Sequence, residues 1–146
     1  MPGVVVGIDG SEHSHFALEW AMRYASLRRL PLTVITVVEE NTPAWGGMMT
    51  VINEGPFLDL ARDAAKEAVA KATALLADDA PSSVLVQAYL GVPAEVLIRE
   101  SQDAELLVVG SRGAGGFARL IMGSVSTQAA HHARCPVVIV PGSRED

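Results

Sequence analysis

What this chain has little of narrows its function before any motif is read. Cys135 is the one cysteine among 146 residues, so no disulfide can form within the chain. Lysine occurs only at Lys66 and Lys71, so no lysine-bearing phosphate loop of the Gly-x-x-x-x-Gly-Lys-[Ser/Thr] kind is present. Aromatic residues make up 5%, which leaves Val, Leu, Ile and Ala to fill a core. Positive charge is also scarce. A formal net charge of −6 argues against nucleic acid and anionic membrane as partners, because both need a basic face that displaces counterions. It does not exclude a small anion held by backbone dipoles. No apolar run approaches the roughly 20 residues that span a bilayer. Met1 to Asp9 lacks the basic flank and long apolar run of a signal peptide, so the expected compartment is the cytoplasm.

What is present suits one domain over residues 1–146, with 49% hydrophobic residues. Five short apolar runs predict strands: Val4–Ile8, Leu32–Val38, roughly Val84–Leu90, Leu106–Val109 and Val137–Val140. The first, fourth and fifth barely alternate, as strands covered on both faces do. Four helical patterns separate them. Ser11 is placed to cap the first, whose Ala17, Leu18, Ala21, Met22 and Ala25 share a face and whose end carries Arg28 and Arg29. The second is expected from about Phe57 to Ala77, the third from Pro93, and the fourth from Gly123-Ser124 to about His132-Ala133. Strand–helix alternation closed by a strand implies a doubly wound parallel sheet with right-handed crossovers. Between Glu39 and Pro56 lies a long loop that carries Trp45, Met48, Met49, Val51 and Ile52, an apolar content that calls for something to cover it.

Chemistry concentrates in two places. After the fourth strand, Gly110-Ser111-Arg112-Gly113-Ala114-Gly115-Gly116 holds four glycines in seven residues, which lets the backbone turn tightly and approach a ligand. Gly123-Ser124-Val125-Ser126 then opens the last helix, where free N–H groups and the helix dipole favour phosphate. Ser124 and Ser126 offer hydroxyls, and Arg112 or Arg119 offers charge. Asp9 stands at the carboxyl end of the first strand. In an open sheet of order 3-2-1-4-5, strands one and four meet at the switch point, where ligands bind outside the carboxyl ends. Asp9 can serve there as acceptor for ribose hydroxyls, or else as a turn residue bonded to its own backbone.

With these residues in view, the chain resembles the universal stress protein family. Gly110, Gly113, Gly123 and Ser124 match that family's pattern of Gly, two residues, Gly, nine residues, Gly, then Ser or Thr. Val4 to Ser11, Leu90-Gly91-Val92-Pro93 and Cys135 to Pro141 look like the family as well. The resemblance implies a five-stranded parallel sheet of order 3-2-1-4-5 with four helices on both faces, an adenine-nucleotide α-hydrolase-like fold. It implies a homodimer, often through the last strand, and ATP as ligand, with Mg2+ accompanying the phosphates and no protein metal site. By position, Asp9 would approach the ribose and the Val37 backbone the adenine. Gly110, Ser111, Arg112, Gly113, Gly123, Ser124, Val125 and Ser126 would surround the phosphates, Arg112 by our inference from its place.

Other signals are weaker. No general base is evident near the phosphates, so the expected activity is binding, with slow hydrolysis or self-phosphorylation at Ser111, Ser124 or Ser126 as the limit. Alternatives are a protein-interaction module with a vestigial nucleotide site and a cyclic-AMP-binding protein, with the protein partner unknown in each case. A phospho-acceptor receiver domain fails, because the third strand ends without a carboxylate and no late lysine exists. His13 and His15, like His131 and His132, lack the i,i+4 spacing that converges on a metal, so surface positions are expected. Cys135, before a proline and an apolar strand, is expected to be a packed thiol.

Overall fold

A computed structural model describes residues 3–39, 54–111 and 123–142. Its strands are β1 (Val4–Gly7), β2 (Leu32–Val38), β3 (Val84–Leu90), β4 (Leu106–Gly110) and β5 (Val137–Val140). Its helices are α1 (Glu12–Arg28), α2 (Glu54–Leu76), α3 (Pro93–Glu100) and α4 (Ser124–His132). All pairings are parallel and the order is β3-β2-β1-β4-β5. The expected fold is therefore the observed one.

Alternation along the strands sorts the core into two layers. Val4, Val6 and Ile8 join Val34, Val108 and Val140 beneath α1 and α2. Val5, Ile35, Leu107 and Val109 face the other way, toward α3 and α4. No aromatic side chain is buried among the described residues; Leu, Val, Ile and Ala fill both layers, with Met22 in the first. Small residues let the helices come close. A Cβ on Gly7 would lie 2.6 Å from the Leu97 side chain of α3.

Helix ends follow local chemistry. Ser11 caps α1, its Oγ accepting from the Ser14 N–H at 3.2 Å. Arg29 closes α1 with φ 58, a left-handed cap. The second helix starts at Glu54, earlier than the expected Phe57, because Pro56 falls in its first turn, where a missing N–H costs nothing. It ends at Leu76 in a short 3-10 turn over Ala77–Asp79. Residues 40–53 of the apolar loop lie outside the described residues.

Candidate functional site

Three strand ends converge at one edge. In the β1–β4 register Val6 stands beside Val108, so Ile8 is level with Gly110, and the chains leave side by side as Asp9 and Ser111. On the other flank of β1, the Ile8 N–H donates to the Ile35 carbonyl at 2.9 Å. Backbone groups alternate between a strand's two sides. The next groups on that side of β2 are therefore the N–H and C=O of Val37, which face where β1 has already departed. A donor and an acceptor side by side suit the edge of a heterocyclic base.

Asp9 adopts the turn role that the sequence left open. Its Oδ1 accepts from the Ser11 N–H at 2.9 Å and from the Ser11 hydroxyl at 2.6 Å. The buried Ser14 hydroxyl donates to the Ser11 carbonyl at 3.0 Å and accepts from the Asp9 N–H at 3.3 Å. Gly10, at φ +85, supplies the left-handed turn between strand and helix, and a Cβ there would meet nothing within 4 Å. The Asp9 carboxylate is thus fixed in direction while remaining exposed.

Beside this turn lies a cavity of about 270 Å3 that Asp9, Gly10, Thr36 and Val37 line from the sheet edge. His15 and Ser14 of α1 and Ala61, Ala64, Ala65 and Ala68 of α2 form much of its remaining wall, over Ile8 and Leu18. Short alanine side chains keep α2 from filling it. A second hollow of about 350 Å3, with Arg99 and Asp103 on its rim, lies at the amino edge near Gly3 and Pro31. Volume favours the second hollow, but ligands of open parallel sheets bind at the carboxyl edge, which selects the first.

The phosphate segment is described at both ends. Gly110 closes β4, and Ser111 follows with its N–H bonded to the Val140 carbonyl at 2.9 Å. The Ser111 carbonyl accepts from the Gly123 N–H at 2.6 Å, tying the end of β4 to the start of α4. Arg112, Gly113 and the alternative Arg119 lie outside the described residues. Gly123 is the N-cap of α4 and no side chain caps that end. In contrast to α1, the first amides of α4, on Ser124 and Val125, have no side-chain acceptor among the described residues. Ser124 is exposed and Val125 half-buried. Ser126 departs from the expected hydroxyl donor to phosphate. It is 1% exposed, and its Oγ donates to the Gly123 carbonyl at 3.0 Å, with the Ser111 carbonyl at 3.4 Å. Its described role is to hold the mouth of the glycine segment.

The edge thus gathers Asp9, Val37, Gly110, Ser111, Gly123, Ser124 and Val125, with Ser126 behind them. Sequence reading missed Ser14, His15, Thr36 and the α2 alanines. Only Ser14 left a signal, three residues after the capping Ser11. The histidine expectation holds at α4, where His131 and His132 are exposed. It fails at α1. His15 lines the cavity, and His13 packs its ring against Gly142 beyond β5, with Nδ1 buried and without a partner among the described residues. Cys135 is half-buried, and burial pushes its thiol pKa up despite hydrogen bonds at Ser101 and Leu107. Among the described residues no cluster of three His, Cys, Asp or Glu forms a metal site, and no helix is long and apolar enough to cross a membrane.

Comparison with known proteins gives consistent matches. The family model described as "Universal stress protein family" matches residues 2–141. A universal stress protein of Mycobacterium tuberculosis is 35% identical over 139 residues, covering 94% of this chain and 47% of its own length. The chain therefore spans about half the length of the curated relatives it matches. Universal stress protein UspA from Lactobacillus plantarum shares the fold with a TM-score of 0.77 at 22% identity, over 95% of this chain and 97% of that one. A universal stress protein solved in complex with cAMP superposes with a TM-score of 0.62 at 28% identity, over 97% and 98% of the two chains.

Proposed function

The chain belongs to the universal stress protein family, and from that premise we propose that it binds an adenine nucleotide, ATP with Mg2+, at the carboxyl edge and reports nucleotide state to a protein partner. One observation carries the reading: the Val37 peptide, the fixed Asp9 carboxylate and the uncapped start of α4 lie along a single edge, beside a cavity of about 270 Å3. Their chemistry matches the nucleotide's parts in order. The Val37 N–H and C=O face the base, and the exposed Asp9 carboxylate accepts from ribose hydroxyls. The Ser124 and Val125 amides face the phosphates, Gly110, Ser111 and Gly123 shape the turn beside them, Arg112 and Gly113 are assigned there from the sequence pattern, and Ser126 braces the two ends. Bound ATP supplies the anion that satisfies the α4 amides, and Mg2+ rides on its phosphates. Among the described residues nothing positions an attacking water, and the role we assign is that of a cytoplasmic switch with stress-linked regulation, with slow hydrolysis or self-phosphorylation as its catalytic limit. The free edge of β5 is where we place a homodimer contact, since unpaired edges invite pairing.

Calorimetric titration with ATP, ADP, AMP and cyclic AMP tests the site. The expected outcome is Mg2+-dependent ATP binding in the micromolar range or tighter, about −8 kcal/mol. Gly123→Leu should abolish that binding without unfolding the protein. Unchanged affinity in that variant would refute the cradle. Preference for cyclic AMP would reassign the ligand, a choice for which the cAMP-bound relative gives a specific reason. Silence toward all four would leave an interaction module with a vestigial site.

A further inference from the structure

Seven aromatic residues serve the whole chain, and three of them, Phe16, Trp20 and Tyr24, stand one turn apart on α1. None of these three is fully buried, and only Tyr24 packs in part against the core. Phe16 is 44% exposed, Trp20 36% and Leu27 81%, although Ala17, Leu18, Ala21, Met22 and Ala25 of the same helix are fully buried. This helix is therefore apolar on two sides, one against the sheet and one outward. A surface helix packed on one face has no internal need for a second, and the surplus marks a contact. The outward residues Phe16, Trp20, Arg23 and Leu27 are spaced four, three and four apart, the seam of a helix that packs on another helix.

That seam is complementary to its own reverse. Laid antiparallel about a two-fold axis between Trp20 and Arg23, Phe16 of one copy meets Leu27 of the other, and Trp20 meets Arg23, each twice. The central pairs set a guanidinium on an indole face. Arg23 is exposed and makes no ion pair or hydrogen bond among the described residues, so it is available. Trp20 is already ordered, stacked on Tyr24 at 5.3 Å and 10°, while Arg28 lies 5.6 Å over the Tyr24 ring and pairs with Glu105 at 3.4 Å. Pre-ordering lowers the entropy lost on docking. The reversal opposes no like charges on the seam, since Arg23 meets Trp20 and Glu19 meets Tyr24. An isologous contact needs this kind of self-complementarity.

We propose that the outward face of α1, centred on Trp20 and Arg23, is a docking surface for α1 of a second copy of this chain, antiparallel and distinct from the β5 edge. With β5 pairing in addition, the chain has two separate two-fold contacts and assembles beyond the dimer.

Sedimentation velocity across a concentration series tests this, using the full chain, Trp20→Ala, Arg23→Glu and a β5 variant, Val138→Lys, with circular dichroism to confirm folding. The full chain should self-associate. Trp20→Ala and Arg23→Glu should each remove one association step and weaken it at least tenfold, whereas Val138→Lys leaves that step in place. Arg23→Glu alters only an exposed side chain, so it remains informative if Trp20→Ala fails to fold. A full chain that stays monomeric to millimolar concentration overturns the proposal. So does association that Val138→Lys abolishes and Arg23→Glu leaves untouched, a result that would keep the β5 contact alone.

Discussion

At the scale of single residues, the proposed site asks two jobs of one Asp9 carboxylate. Oδ1 fixes the turn into α1 through Ser11, while the group stays exposed toward the cavity. The two jobs are separable, because Asn keeps an oxygen acceptor and loses the charge. Asp9→Asn should therefore leave thermal stability within about 0.5 kcal/mol, as for a surface change. Calorimetry should show nucleotide affinity about tenfold lower, the scale of one lost charge-assisted hydrogen bond. Loss of stability with no change in affinity would make Asp9 a turn residue only. Sequence alone could not divide these roles. A carboxylate after an apolar strand reads the same for a ribose acceptor and for a turn, and only the Ser11 and Ser14 bonds distinguish them.

At the scale of elements, strands and helices were legible because their signals are local. Val-rich runs bounded by Gly and Pro gave all five strands, and Ser11, Pro93 and Gly123 marked three helix starts. The start of α2 was misplaced because Gly55-Pro56 reads as a loop unless the helix is known to begin just before it. The cavity wall was not legible at all. Ala61, Ala64, Ala65 and Ala68 look like ordinary helix formers, and only the approach of α2 to β2 makes their small size a property of the site. Burial in the strands carries its own prediction. Leu107, fully buried in β4 between β1 and β5, should cost about 2–5 kcal/mol when truncated to Ala. Urea unfolding should show this as a lower midpoint with an unchanged slope.

At the scale of the whole molecule, two groups in the α3/α4 layer contribute to stability on the alkaline side. Burial raises the pKa of Cys135, and burial, followed by the hydrogen bond to Glu100, raises that of Tyr89. Both groups are neutral when protonated and are harder to ionise folded than unfolded. Their stabilising effect is thus complete below the unfolded values, about 8.5 for Cys and 10 for Tyr, and is lost as pH rises through the folded ones. Melting temperature should hold from pH 7 to 8 and decline above about pH 9, and Cys135→Ala should flatten the first part of that decline. A wild-type curve flat to pH 10.5 would contradict the assignment.

The central place of β1 also has a consequence for the chain during synthesis. One neighbour, β2, follows at once, but the other, β4, lies about 70 residues beyond β2. At translation rates of about 5–20 residues per second, the flank of β1 that carries Asp9 waits roughly 4–14 s for its partner. A Val-rich strand with one unpaired side is a template for wrong pairing throughout that interval. The same ordering means that no nascent chain can hold ligand across Asp9 and Gly123 until the last helix has emerged. Capture at the proposed site is therefore a late event in the life of each molecule, open only to chains in which β4 and the last helix are already made.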